Sequence, residues 1–216
     1  MSDSTATSVR AAISARVARA ALAVAAAHVA VSLIGSAFAP VLLVKYPLLL
    51  IAMSPDARHL ALAVGSAPPA VLVTLAVLRR GIYSVAAFGI GAGYGPAAVS
   101  WIEGRSRRAG KLFRVIERLF ARWGAPILVI WPFGSACILA GAARTRFAPF
   151  VLGMLAGHTL WVASTYLIGE LISDLTARVL ALFREHLVLS TLICVALVGV
   201  IELLRRRRAL REREPP

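Results

Sequence analysis

GAPILVIWPFGSACILAGAARTRFAPFVLGMLAGHTLWVASTYLIG, Gly124 to Gly169, decides how the rest of the chain is read. An apolar arm opens it and is broken by Pro132 and Gly134. Small residues follow at Ala140 and Gly141, then a basic turn at Arg144 and Arg146. An apolar segment with Gly153, Gly157, Trp161 and Gly169 closes it. A helix needs about 20 apolar residues to cross a bilayer. The arm with proline inside it is too short for that; the closing segment is long enough. A broken half-helix beside a full span predicts a re-entrant element. Irregular backbone survives at membrane depth only against protein or beside a wet cavity.

Composition points the same way. Hydrophobic residues make up 59% of the chain and charged ones 16%, more apolar than a soluble domain of 216 residues requires. The net charge of +14 suggests nucleic acid at first sight. Its placement argues against that: basic residues flank the apolar runs and fill one central block, with no nucleic-acid reader motif beside them. That is positive-inside topology, with anionic lipid headgroups as the nearest partner. Cys137 and Cys194 lie in apolar runs and read as small buried hydrophobes. No nucleophile–base pair, metal-ligand cluster or phosphate loop is visible. The expectation is therefore no enzyme, no cofactor and no metal.

Outward toward the N-terminus, residues 1–9 are polar and expected to fray. Residues 1–19 form a cytoplasmic segment with Arg10, Arg16 and Arg19. Ala37-Phe38-Ala39 resembles a signal cleavage site, but Pro40 follows the would-be cut and the apolar run continues. An uncleaved first span from Ala20 to Val44 is expected. His28 inside it is read as a helix–helix hydrogen bond or a proton relay. Two short apolar pieces then flank Ser54-Pro55-Asp56, a turn signal that predicts a first hairpin. After Pro68-Pro69 another apolar run reaches Tyr94 through Arg79-Arg80. Those arginines mark a cytoplasmic turn or face a wet cavity; the sequence leaves both open. Gly89, Gly91, Gly93 and Gly95 resemble a dinucleotide loop, but no strand precedes them, so close helix packing is the better reading.

The block Trp101 to Trp123 is a basic amphipathic helix. Leu112, Ile116, Leu119 and Trp123 share one face, with Phe113 and Phe120 at its margin. Lys111, Arg114, Arg118 and Arg122 share the other. Such a helix suits the cytoplasmic membrane interface. Past the decisive stretch, Asp174 to Glu185 reads as a short interfacial helix. His186 to Leu204 reads as a last span, and residues 205–216 as a basic cytoplasmic tail. The fold expected is all-α: a polytopic helical membrane protein, residues 20–204, with two re-entrant helical hairpins and a cytoplasmic interfacial amphipathic helix.

At this point the residues carry a resemblance to the DedA family, the bacterial branch of the VTT-domain membrane proteins. The similar features are Gly93-Tyr94-Gly95 running into a basic helix, then Phe120-x-x-Trp123-Gly124, the Pro132 arm, Ala140-Gly141 and Arg146-Phe147. Gly157-x-x-x-Trp161 with Gly169 completes the set. The resemblance covers about residues 40–172. It implies a lipid scramblase or flippase for phospholipid or polyprenyl-phosphate in a bacterial inner membrane, both termini cytoplasmic. It also marks Gly95, Gly141, Gly157, Trp161 and Gly169 as structural motif positions. Where the family places arginines around the hairpin proline, this chain has Val129 and Ser135. The first hairpin lacks the family's acidic residues, Asp56 at its turn apart. A proton-coupled mechanism loses its usual parts, and passive scrambling is the expectation.

The expected substrate-binding residues are Pro132, Gly134, Ser135, Arg144, Arg146, Arg79 and Arg80. Hairpin tips meeting near the mid-plane would leave backbone groups at Pro47, Pro132 and Gly134 to be satisfied by water, protein or headgroup oxygens. Ser135 adds a hydroxyl. Arg144 and Arg146, or Arg79 and Arg80, would hold a phosphate by charge-assisted bonds; topology anchoring is the somewhat stronger reading of them. Membrane lipids are the expected partners and nucleic acid is not; a homo-oligomer stays open. The rival readings are a non-transporting membrane scaffold and an enzyme acting on lipid phosphate.

Overall fold

A computed structural model describes residues 2–105 and 107–211, with side chains described for 15–95, 115, 118–120, 122–205 and 207. All regular structure among the described residues is α-helical. The elements are α1 (Ser2–Ala37), α2 (Ala39–Lys45), α3 (Pro47–Met53), α4 (Ala57–Leu62) and α5 (Pro69–Arg105). They continue with α6 (Arg107–Ile130), α7 (Gly134–Ala142), α8 (Phe147–Leu171), α9 (Ser173–Glu185) and α10 (Leu187–Arg211). Four of them carry stretches long and apolar enough to cross a membrane: Ala15–Ala37, Pro69–Gly95, Phe147–Leu171 and Leu187–Arg205. The shortest, 19 residues, rises about 28 Å, close to the thickness of the hydrocarbon core. Large apolar side chains such as Leu152, Leu171 and Val188 are exposed, as lipid-facing residues are. The chain reads as an integral membrane protein.

Several expectations need correction. The first span does not run to Val44. Helix α1 ends at Ala37, and Phe38 stands at a junction before α2. Pro40 sits in the first turn of α2, where its missing N–H and fixed φ do no harm. Residues 2–9 are helical rather than frayed, as part of α1. Arg79 and Arg80 lie inside α5, not in a turn. Within α6, Trp123 leaves helical geometry (φ −123°), which places Pro126 in the first turn of a fresh helical piece. Phe120, expected at the margin of an apolar face, is buried against Leu128 and Phe150 in a core cluster. Leu119, Trp123, Arg118 and Arg122 are exposed. The side chains of Arg10, Arg105, Arg107, Arg108, Lys111, Leu112, Phe113, Arg114 and Ile116 lie outside the described residues, as does the end of the tail, 212–216.

Contacts divide the chain into two compact units, Met1–His28 with Val77–Trp161 and Val29–Ala76 with Val162–Pro216. The second unit holds the first broken segment. Tyr46 separates α2 from α3, and Ser54-Pro55-Asp56 separates α3 from α4, the turn expected there. Both α3 and α4 are shorter than their apolar runs suggested, at 7 and 6 residues. The turn is tied to α1 by hydroxyls one helical turn apart. Ser32 donates to the Met53 carbonyl (3.1 Å), and Ser36 and Ser54 share a bond of 3.1 Å. Ser54 also donates to Asp56 (3.3 Å), and its carbonyl contacts His59 Nδ1 at 2.9 Å. A Cβ on Gly35 would come within 2.8 Å of Met53 Cβ, and one on Gly169 within 2.9 Å of Ala61 Cα. Helix α9 packs on α2 and α4 and buries no residue of its own; α10 packs on α2 and α9.

In the first unit the decisive stretch forms a helical hairpin. Its limbs are the end of α6 after the Trp123 kink, and α7; Trp131, Pro132 and Phe133 link them. Neighbours fix the directions. On α8, Gly153 faces Ala125 and Gly157 faces Leu128 and Val129, so that limb runs parallel to α8. On α5, Tyr83 meets Gly134, Gly91 meets Ile138 and Gly95 meets Ala142, so α7 runs parallel to α5. Helices α5 and α8 are antiparallel, since Phe88 packs on Phe150 and Ser84 on His158. The two limbs therefore oppose each other, and the chain turns back at Pro132. Small residues make this possible, because helix pairs in lipid are held by close backbone approach. A Cβ on Gly141 would strike the Phe88 carbonyl oxygen and lie 2.8 Å from Ala92 N.

Candidate functional site

The hairpin link meets a polar layer in the first unit, drawn from the middle of three long helices. Helix α1 supplies His28; α5 supplies Arg79, Arg80, Tyr83 and Ser84; α8 supplies His158 and Trp161. Residues four apart on a helix share a face. Arg79 and Tyr83 therefore approach His28, while Arg80 and Ser84 approach His158. Arg79 donates to His28 Nδ1 and to its carbonyl oxygen (3.3 Å). The His28 and Tyr83 rings lie 4.6 Å apart.

On the other side, Arg80 Nε donates to His158 Nδ1 (3.4 Å), and Ser84 Oγ lies 2.8 Å from His158 Nε2. Because Nδ1 accepts, the neutral ring carries its proton on Nε2 and donates to Ser84. Ser84 shares a further hydrogen bond with Cys137 of α7. The Arg80 guanidinium carbon lies 3.9 Å from the centre of a Trp161 ring, a cation–π contact. Trp161 meets Phe133 edge-on at 6.4 Å, and Phe133 meets Trp131 at 5.4 Å. A Cβ on Gly134 would come 2.7 Å from the Tyr83 ring. The link where the hairpin reverses thus adjoins, through Trp161 and Tyr83, a layer that holds two half-buried arginines.

The expected site residues separate into two places. Pro132, buried, and Gly134 adjoin the layer that holds Arg79 and Arg80. Ser135 follows, exposed on the first turn of α7. Arg144 and Arg146 are exposed at the opposite end of α7, whose nine residues rise about 13 Å. The motif glycines all fall at helix contacts: Gly95 and Gly141 between α5 and α7, Gly157 between α8 and the α6 limb, Gly169 between α8 and α4. Tyr83 and Ser84 escaped the sequence reading. Their signal was present in the i, i+4 spacing from Arg79 and Arg80 within an apolar helix.

Arg144 has φ 54°, a left-handed conformation that is free to glycine and costs a residue with a Cβ about 1–2 kcal/mol. Thr145 N–H reaches the Ala140 carbonyl (3.0 Å) and Arg144 N–H that of Gly141 (3.0 Å), a Schellman ending to α7. Arg144→Gly should therefore stabilise the protein by about 0.5–1 kcal/mol, after allowing for the entropy glycine loses on folding. Thermal unfolding in detergent measures it; a lower midpoint would show that the arginine side chain contributes more than its backbone costs. Strain kept at a charged residue is a reason to look for function there.

Family models, curated proteins and solved structures provide no match to this chain.

Proposed function

We propose that this chain moves lipids, phospholipid or polyprenyl-phosphate, between leaflets by passive scrambling, in the manner the DedA resemblance implies. One observation carries the reading: a helical hairpin reverses at Pro132 against a layer containing two arginines, in the middle of helices long enough to cross a membrane. In this reading both broken segments are re-entrant, and α6 lies in the cytoplasmic interface with Leu119 and Trp123 toward the acyl chains. Four crossings return the chain to its starting side. The basic residues favour the cytoplasm for that side, and the DedA resemblance implies a bacterial inner membrane.

A guanidinium facing lipid costs at least about 2.5 kcal/mol on insertion scales. Helices that carry two of them mid-span hold a charge useful there. A headgroup phosphate crossing the bilayer meets its greatest desolvation at the middle, and fixed guanidiniums lower that barrier by charge-assisted bonds. Water and headgroup can follow the polar layer while the tails stay in hydrocarbon. Arg144 and Arg146 serve as the cytoplasmic entrance, where each basic residue near an anionic surface is worth about 1 kcal/mol.

The test is purified protein in liposomes carrying a fluorescent phospholipid in both leaflets, with a membrane-impermeant quencher added outside. Scrambling makes the inner pool accessible. An unchanged rate with folded protein would replace this reading with the membrane scaffold, and a chemically altered lipid with the enzyme. Replacing Arg144 and Arg146 together by Ala should slow the exchange about thirtyfold, the loss of roughly 2 kcal/mol of headgroup attraction. An unaltered rate would remove both from the path.

A further inference from the structure

A cavity of about 780 Å³ lies between α1, α5 and α8 within the first unit. Its walls are apolar almost throughout, among them Val17, Ala21 and Val24 of α1, Val85 of α5 and Val151 of α8. Its volume is that of a site for a sizeable small molecule. The polar layer borders one end of this partly open cavity. On α1 the lining stops at Val24, and His28 is the next residue on that face. On α8 it stops at Leu155, and His158 stands one turn further. On α5 it stops at Leu78, beside Arg79. The cavity therefore has an oily length and a cationic end, the shape and charge of an anionic amphiphile.

We propose that this cavity holds an acyl chain of an anionic phospholipid whose phosphate rests on Arg79 and His28. The proposal rests on the lipid-moving reading above and specifies its midway state. The headgroup sits at the middle of the spans, and the tail runs toward the end of the bundle where α8 begins. Arg79 is already oriented by two bonds to His28, so its guanidinium is held for a ligand rather than free to swing. The chain leaves no polar group in hydrocarbon, because all of its contacts are apolar.

The experiment uses the full chain in bilayer nanodiscs with phosphatidylglycerol carrying a diazirine near the end of one acyl chain. Diacylglycerol with the same label serves as the comparison. After illumination, mass spectrometry maps the labelled peptides. Phosphatidylglycerol should label the α1 segment 17–24 and the α5 segment 82–92, at least about tenfold more than diacylglycerol does, as one charge-assisted bond requires. Arg79→Gln should remove that preference. Ala20→Phe with Ala92→Phe, both on the cavity wall, should remove labelling from either lipid.

Equal labelling by the two lipids overturns the role of the cationic end. Labelling that survives the phenylalanines overturns the cavity. Exchange between leaflets is measured beside it: scrambling without cavity labelling defeats this proposal alone. Labelling without scrambling leaves the site standing and defeats the lipid-moving reading.

Discussion

Arg80→Leu should leave the protein at least as well inserted and stop most lipid exchange. The two effects have opposite signs because one charge governs both. On insertion scales, exchanging a central arginine for leucine favours the helix by about 3 kcal/mol. Against that stand the cation–π contact with Trp161 and the bond to His158, together about 2–3 kcal/mol when desolvated. The balance is near zero, so the melting temperature in detergent should hold within a few degrees. On the lipid-moving proposal, exchange in liposomes should fall at least about tenfold, since the crossing phosphate would lose one charge-assisted partner. A rate equal to the parent's would make Arg80 a packing residue. A collapse in stability would mean that its bonds hold α5 to α8.

Gly91→Val and Gly141→Val should each unfold the hairpin's inner limb from α5. A Cβ on Gly91 would run into the Ile138 carbonyl oxygen and lie 2.8 Å from its carbon; Gly141 meets Phe88 and Ala92 in the same way. These obstacles are backbone and do not rotate aside. Overpacking a well-packed core costs about 1–3 kcal/mol, and more where backbone must shift. Each variant should lower the unfolding midpoint by several degrees and reduce exchange with it. The double variant should cost less than the two single losses added, because both act on one interface. Gly199→Ala is the control. Its Cβ meets nothing within 4 Å, and alanine favours a helix over glycine by about 1 kcal/mol. A tolerated Gly91→Val would show that α7 is not pressed against α5.

What could be read from the sequence follows from where each cause lies. Breaks made by proline are local, so the interruptions at Pro47, Ser54-Pro55 and Pro132 were legible. So was the pair of limbs around Pro132, since each is short of a crossing. The junction at Phe38 was hidden by an unbroken apolar run, although Pro40 opens α2 and could have marked it. The polar layer was legible only in halves. Arg79, Arg80 and His28 stand out as ionisable groups in apolar segments. Their partners depend on how helices meet: His28 and Arg79 are 51 positions apart, and Ser84 and His158 are 74. Spacing within α5 marks the face but cannot name what it faces. The separation of Arg144 and Arg146 from Gly134 was likewise invisible until α7 had a length and a direction.

The limbs beside Pro132 are brief, α7 having nine residues. Isolated helices below about 12–15 residues are marginal even in water-soluble peptides, and nine residues fall well under the ~20 that a crossing needs. By length alone, then, α7 carries no signal for a crossing of its own. What fixes its position is contact made after the neighbouring helices exist: Gly91 and Gly95 of α5 and its own Gly141 let the two backbones touch.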